Sequence, residues 1–247
     1  MAEPEPITQR MLKRLSASKA IILVATLLAA SAFTFIEVAG EVSEGETLHL
    51  DNTILHALRN PTDPSIPIGP SWLLPGVQDI SALGGVAVLI AFTLAVSGFC
   101  WFDRKKKLLL FFLGSVGGGT MAMVLLKHFF ARPRPSIVPH LVPVAMESFP
   151  SGHSMIAAIF YLTLGALLAQ ATQDRVLKIY YYAIACLITL LIGISRVYLG
   201  VHYPTDVLAG WCAGIAWSAT TYLISEWLQR RGKLEEGDEI KQIEQTE

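Results

Sequence analysis

Charged residues are scarce in this chain of 247 residues. Asp, Glu, Lys and Arg make up 16% of it, whereas a soluble domain of this size carries roughly 25%. The chain therefore lacks the charge to cover a surface that faces water on all sides. Its formal net charge of −1 provides no basic footprint for nucleic acid, which argues against that class of partner. The three cysteines all lie in apolar stretches and cannot all pair, so no disulfide framework is implied.

Apolar residues, by contrast, make up 53% of the chain and are clustered. Six stretches of 17 to 23 residues contain no Asp, Glu, Lys or Arg: 20–36, 80–102, 108–126, 154–173, 179–195 and 207–225. A bilayer core of about 30 Å needs about 20 helical residues. The pattern predicts an all-α membrane protein with six transmembrane helices over residues 20–228. We expect a cytoplasmic segment, 1–19, before them and a charged cytoplasmic tail, 229–247, after them.

The basic residues are distributed unevenly between the two sides of these spans. Fourteen of the 19 lie on the side that holds both termini: Arg10, Lys13, Arg14, Lys19, Arg104, Lys105, Lys106, Lys107, Arg175, Lys178, Arg230, Arg231, Lys233 and Lys241. The positive-inside rule makes that side cytoplasmic. The segments 37–79, 127–153 and 196–206 are then external. A cleaved signal peptide is the competing interpretation of the first span, and it leaves the topology of the rest unchanged.

The external segment 41–77 joins the first two spans. Ile54, Leu55 and Leu58 share a helical face there, and Asp51 is placed to cap it, which predicts a short interfacial helix. Five prolines follow and break regular structure. We interpret this segment as a covering loop without a catalytic role.

Five basic residues remain on the external side, against the positive-inside rule: Arg59, Lys127, Arg132, Arg134 and Arg196. Binding of an anion at the membrane surface explains several of them better than contacts with lipid headgroups do. Two histidines, His153 and His202, fall at the same level. Asp206 follows His202 by four residues, a spacing that lets a carboxylate hold the imidazole. Ser151 is placed to cap the fourth span, whose first N–H groups then face an anion.

These residues form three blocks. They are Lys127-x6-Arg134-Pro135, Pro150-Ser151-Gly152-His153 and Ser195-Arg196-x5-His202-x3-Asp206. In these blocks the chain resembles the type 2 phosphatidic acid phosphatase (PAP2) superfamily, whose signature has the same blocks in the same order. The resemblance spans residues 127–206. It implies a PAP2-type helical core and hydrolysis of a membrane lipid phosphate. The positive-inside orientation puts these blocks at the external face, and the compact six-span chain fits an inner (plasma) membrane.

The chemistry expected of such a site divides the residues into two groups. Lys127, Arg134 and Arg196, with Ser151 and Gly152, are the candidate phosphate-binding residues, because phosphoryl transfer depends on neutralising the non-bridging oxygens. His202, His153 and Asp206 are the candidate catalytic residues: Asp206 orients His202 as the nucleophile, and His153 is the general acid. The resemblance implies the same assignment and catalysis without a metal ion or cofactor.

Other readings stay open at this point. A lipid phosphotransferase would use the same phosphohistidine, and a transporter would need ionisable groups near the membrane midplane, which these spans do not hold. The six spans argue against a soluble haloperoxidase. Arg132 is interpreted as peripheral, and His128, His140 and Glu147 are left without a role. The lipid itself is open among polyprenyl diphosphate, phosphatidylglycerol phosphate, phosphatidic acid and lipid A phosphate.

Overall fold

The computed structural model describes residues 7–230, with side chains from 19 to 228, and the regular elements in that range are helices. They are α1 (Ile7–Glu44), α2 (Leu48–Ala57), α3 (Leu73–Ala82), α4 (Val86–Phe102), α5 (Lys106–Phe130), α6 (Gly152–Gln170), α7 (Arg175–Tyr198) and α8 (Pro204–Arg230). The charged tail predicted over 229–247 and the first part of the N-terminal segment lie outside the described side chains.

The predicted all-α architecture is confirmed, with one change in the second span. Five stretches within the described helices are long and apolar enough to cross a membrane: Lys19–Glu44, Lys106–Phe130, Gly152–Gln170, Arg175–Tyr198 and Pro204–Leu228. The second predicted span corresponds to a pair of helices, α3 and α4, which are together long and apolar enough to cross a membrane and are bent by 45°. The sequence pattern predicts an unbroken helix there, but the chain breaks at Gly84 and Gly85. Glycine costs roughly 1 kcal/mol relative to alanine inside a helix, which favours a break at this pair.

The central element is α6. In its apolar membrane-spanning stretch, 61% of the residues are buried inside the protein, against 11% in that of α1 and 22% in those of α5 and α7. It packs against α5, α7 and α8, while α1 lies along α8. Side chains on the periphery remain exposed, such as Phe102 and Phe129, as is typical of helices that face lipid. A polar group on α6 is therefore held by helices on several sides.

Two glycines of α8 allow this helix to approach α6 closely. A Cβ atom on Gly210 would lie 2.7 Å from the carbonyl oxygen of Ser151, and one on Gly214 would lie 2.5 Å from Cβ of Ala158. Small residues at such positions let helix backbones meet. The backbone N–H of Ser151 can then donate to the carbonyl oxygen of Asp206 at 2.9 Å. This contact places the start of α6 beside the start of α8.

The external segment forms a short helix, as predicted, but Asp51 does not cap it. Helix α2 begins at Leu48, so Asp51 lies in its first turn and is fully buried. The Asp51 carboxylate accepts hydrogen bonds from the backbone N–H of Thr205 at 3.1 Å and from its hydroxyl at 2.7 Å. The prediction of a cap was wrong because the carboxylate meets the start of α8 instead of free N–H groups of its own helix.

Candidate active site

The predicted site residues come from four helix ends that meet at one end of the bundle. Helices α5 and α7 end there, and α6 and α8 begin there. The loop between α5 and α6 closes over this end: Ser148 N–H donates to the carbonyl oxygen of Arg132 at 2.8 Å, and Leu141 N–H donates to that of Leu199 at 3.0 Å. Motif residues separated by up to 79 positions in the chain thereby become neighbours.

His202 and Asp206 lie together and are almost inaccessible to solvent. The imidazole Nδ1 is 3.5 Å from Oδ2 of Asp206 and 3.4 Å from the hydroxyl of Ser148. That hydroxyl in turn donates a short hydrogen bond to the same carboxylate oxygen. Burial lowers the pKa of His202 from its ordinary 6.5 to about 3, with the opposing effect of Asp206 smaller than that of burial. The ring is therefore held neutral at physiological pH.

Arg134 lies on the opposite side of the His202 ring. Its Nη1 is 3.2 Å from Nε2 of His202 and donates to the carbonyl oxygen of Val201 at 2.6 Å. Its Nε donates to the carbonyl oxygen of Met146 at 2.6 Å. Burial lowers the pKa of Arg134, and the charges of Asp206 and Glu147 oppose that effect. Backbone carbonyl oxygens thus hold the Arg134 guanidinium beside Nε2 of His202 without a carboxylate partner.

Lys127 stands beside the start of α6. It is 3% exposed, and its ammonium donates to the carbonyl oxygen of Glu147 at 2.5 Å. A Cβ atom on Gly152 would lie 3.3 Å from Cε of Lys127, so glycine permits this close approach. Ser151 caps α6 as predicted, because its Oγ accepts from the N–H of Ser154 at 3.5 Å.

Arg196 and His153 form the wall on the side of the second span. Arg196 is buried and donates to Oγ of Ser81 at 2.7 Å, while its Nε has no hydrogen-bond partner. His153 lies against the break between α3 and α4, since a Cβ atom on Gly84 would be 3.3 Å from its Cδ2. The cationic side chains that act electrostatically on His153 are Arg196, Arg134 and Lys127. Arg134 and Lys127 therefore act on both candidate histidines, whereas Asp206 acts on His202.

The site is a cluster of positive charge, with Lys127 and Arg196 buried and Arg134 half-buried. Lys127, Arg134 and Arg196 are held by carbonyl or hydroxyl oxygens. The Asp206 carboxylate is engaged on both oxygens by other groups. Burying a cation without an ionic partner is costly, so such a cluster favours an anionic ligand. Within the described part of the chain, no group of three or more His, Cys, Asp or Glu side chains could hold a metal ion.

Comparisons with known proteins agree with this arrangement. Residues 108–230 match the PAP2 superfamily. Phosphatidylglycerophosphatase B of Bacillus subtilis is 37% identical over 145 residues, which are 58% of this chain and 71% of that protein. The chain belongs to the PAP2 superfamily. It is accordingly a phosphatase, a hydrolase of phosphoric monoesters.

A solved structure and a second relative extend this comparison. The crystal structure of a transmembrane PAP2-type phosphatidylglycerolphosphate phosphatase from Bacillus subtilis superposes with a TM-score of 0.74 at 30% identity. The match covers 82% of this chain and 98% of that one. Lipid A 1-phosphatase of Rhizobium johnstonii is 36% identical over 110 residues, 40% of this chain and 41% of that protein. These PAP2 relatives are lipid phosphatases.

One prediction about this PAP2 site was wrong. Arg132 is not peripheral: it is 8% exposed, and its Nη1 donates to Oδ1 of Asp206 at 2.5 Å. The signature specifies no residue at this position of the first block, which had suggested the opposite. Arg132 and Arg134 are two positions apart in the loop, and their guanidinium groups reach different parts of the site. Arg132 contacts Asp206, and Arg134 contacts His202.

Sequence reasoning also missed three residues that contact the predicted site. The Ser148 hydroxyl donates a hydrogen bond to Asp206, the Ser81 hydroxyl accepts one from Arg196, and Gly84 lies next to His153. Ser148 lies two residues before the second block, and this closeness to the block was the one feature of the sequence that could have indicated its role. Ser81 and Gly84 have no signal of that kind, because they lie in or beside an apolar stretch more than 60 residues before His153.

Proposed function

We propose that this PAP2 chain hydrolyses the phosphate monoester or diphosphate of a membrane lipid through a phosphohistidine on His202, without a metal ion. The observation that carries the proposal is that the two ring nitrogens of His202 have different neighbours. Its Nδ1 faces Asp206 and Ser148, whereas its Nε2 faces the guanidinium of Arg134. A carboxylate at Nδ1 favours the tautomer with hydrogen on Nδ1, which leaves a lone pair on Nε2 for attack on phosphorus.

The two histidines divide the proton transfers. Nε2 of His202 forms a bond to phosphorus while the bond between phosphorus and the lipid oxygen breaks, and His153 donates a proton to that departing oxygen. Water then attacks the phosphohistidine and gives a proton to His153, releasing inorganic phosphate and free His202. His153 suits this role because no carboxylate among the described residues fixes its protonation state.

The three cations of the site act on the phosphate oxygens. Lys127, Arg134 and Arg196 neutralise the charge that spreads over the non-bridging oxygens as the phosphoryl group is transferred. Ser151 caps α6, and the N–H of Gly152, in the first turn, completes the cradle. The unpartnered Nε of Arg196 is a donor that a phosphate oxygen satisfies. Charge neutralisation from these side chains makes a metal ion unnecessary in this mechanism.

Trapping of the phosphoenzyme tests the mechanism. H202A and H153A should each abolish turnover, but only His202 should be required for a phosphorylated protein to be recovered after rapid quenching with labelled substrate. Activity of the wild type should survive EDTA. Phosphoenzyme that persists in H202A would overturn the role of His202, and strong inhibition by EDTA would overturn the metal-independent mechanism. Labelled phosphate delivered to a lipid acceptor instead of water would identify a phosphotransferase.

The substrate we propose is a lipid whose phosphate lies at the outer headgroup level, either a glycerolipid phosphate or a polyprenyl diphosphate. Support comes from the position of the site at the ends of apolar helices and from the lipid-phosphatase relatives. The test is kcat/KM for a long-chain lipid phosphate against a short soluble phosphate with the same headgroup, in liposomes. Equal turnover of the two would contradict access from the bilayer.

The location we propose is the inner (plasma) membrane, with both termini cytoplasmic and the active site on the external, periplasmic face. It is supported by the 14 basic residues on the opposite side. In a variant without the native cysteines, H140C should react with an impermeant thiol reagent in intact cells and K105C should not. The reverse labelling pattern would place the site in the cytoplasm.

A further inference from the structure

We infer that Arg132 and Asp51 are positioning residues for Asp206: a buried chain of carboxylate, guanidinium and carboxylate links helix α2 to the nucleophilic histidine. The inference rests on the proposed function, because it concerns how Asp206 is held for His202. It assigns a role in the reaction to the external segment between the first two spans. Asp51 lies outside the three signature blocks, and Arg132 occupies a position of the first block at which the signature specifies no residue.

The geometry of the chain is continuous and shielded from water. Arg132 uses both terminal nitrogens: Nη1 lies 2.5 Å from Oδ1 of Asp206, and Nη2 lies 2.8 Å from Oδ2 of Asp51. Both carboxylates are fully buried. The guanidinium also lies over the ring of Tyr203, 4.2 Å from its centroid. Each group of the chain is thus held on more than one side.

The contacts of Asp206 explain what this chain does. Its Oδ2 faces Nδ1 of His202 and also accepts from the N–H of Tyr203 at 2.9 Å. Hydrogen bonds to one oxygen, here from Tyr203 and Ser148, still allow the carboxylate plane some rotation about the Cβ–Cγ bond, and a contact at the second oxygen removes it. Arg132 holds that second oxygen, Oδ1, so Oδ2 stays directed at the imidazole. Arg132 therefore acts on the reaction through the orientation of Asp206.

Asp51 completes the arrangement from the other side. It accepts two hydrogen bonds from Thr205, the residue directly before Asp206 in the chain, and it receives Nη2 of Arg132. The planar guanidinium bridges two carboxylates at once, which a lysine ammonium on a flexible stem does not reproduce. Removing Arg132 leaves two buried carboxylates close together without a cation, a strongly unfavourable state. The position of α2 and the orientation of Asp206 are therefore coupled.

The test compares R132Q with R59Q as a matched control. Arg59 is also a buried guanidinium, 2% exposed, but it donates to the carbonyl oxygens of Leu58 and Tyr198 and does not contact Asp206. We expect both variants to lower the Tm. Only R132Q should lower kcat, by roughly 100-fold, with KM changed less than about threefold and phosphoenzyme formation slowed to match.

The double variant provides a second measurement. If Asp51 and Arg132 act through the same carboxylate, D51N should lower kcat by roughly tenfold and R132Q/D51N should be no worse than R132Q alone. R132K should recover Tm more than kcat. Additive losses, or a kcat for R132Q that falls no further than that of R59Q, would overturn the inference.

These outcomes are separable from failure of the proposed function. Phosphoenzyme trapped in H202A overturns the phosphohistidine itself. A requirement for His202 together with wild-type rates of phosphoenzyme formation in R132Q overturns only the role of Arg132 and Asp51.

Discussion

Two regions of the molecule meet at the active site and contribute different things. The signature region, residues 127–206, supplies the imidazoles, the carboxylate and the cations that can act on a phosphate. The N-terminal region, residues 48–85, supplies Asp51, Ser81 and Gly84. They lie against Arg132, Arg196 and His153 of the signature region, respectively. None of these three residues is a nucleophile or a cation that could neutralise a phosphate. The N-terminal region orients groups that the signature region provides.

The difference predicts a ranking of mutational effects. Loss of a group that neutralises charge in the transition state removes stabilisation directly, whereas loss of a group that holds it permits only some misorientation. Variants of the signature region should therefore be more damaging than variants of their N-terminal partners at the same contact.

The largest effect in such a matched pair is expected at the contact between Arg196 and Ser81. R196Q should lower kcat/KM by roughly 1,000-fold, because it removes a buried cation that we propose to neutralise the phosphate. S81A removes only the hydroxyl that accepts from Arg196 and should cost roughly tenfold or less. Steady-state kinetics on both variants in the same liposomes measure the difference. An S81A variant as impaired as R196Q would remove the distinction between the two regions.

An intermediate effect is expected at the break in the second span. A Cβ atom on Gly84 would lie 2.6 Å from Cγ2 of Ile192 and 3.3 Å from the His153 ring, so G84A should displace the imidazole and lower kcat by roughly tenfold. The matched control is G98A in α4, where nothing lies within 4 Å of the added atom. Its kcat should match that of the wild type. Equal kcat values for the two variants would show that the break does not position His153.

The smallest effect is a pH dependence of stability that belongs to the signature region. Because burial lowers the pKa of His202 to about 3, the unfolded chain binds a proton below its ordinary pKa of 6.5 while the folded chain does not. The stability contributed by neutral His202 is complete above pH 6.5 and is lost as the pH falls toward 3. Relative to H202N, the wild type should lose about 1 kcal/mol between pH 6.5 and 5.5.

The Tm values of wild type and H202N in detergent at pH 7.5, 6.5 and 5.5 check this expectation. The wild-type Tm should fall relative to that of H202N mainly in the lower interval. A constant difference across all three values would mean that His202 binds its proton equally well in the folded and unfolded chains.

The spans and the reacting groups could be predicted from local patterns. Hydropathy over about 20 residues predicts a membrane helix wherever it lies in the fold. The four-residue spacing of His202 and Asp206, and the cap at Ser151, are likewise properties of one short segment. These features survive in any packing of the helices, which is why the sequence alone determined them.

The groups that hold the reacting residues were decided only by the tertiary structure. Arg132 meets Asp51 across 81 positions of the chain, and Arg196 meets Ser81 across 115. Asp51 looked like a helix cap and Gly84 like part of a plain span, because nothing in either segment encodes what packs against it. Such pairs arise from how α2, α3, α7 and α8 are placed against each other. That placement depends on burial and shape summed over the whole helix bundle, which no local spacing records.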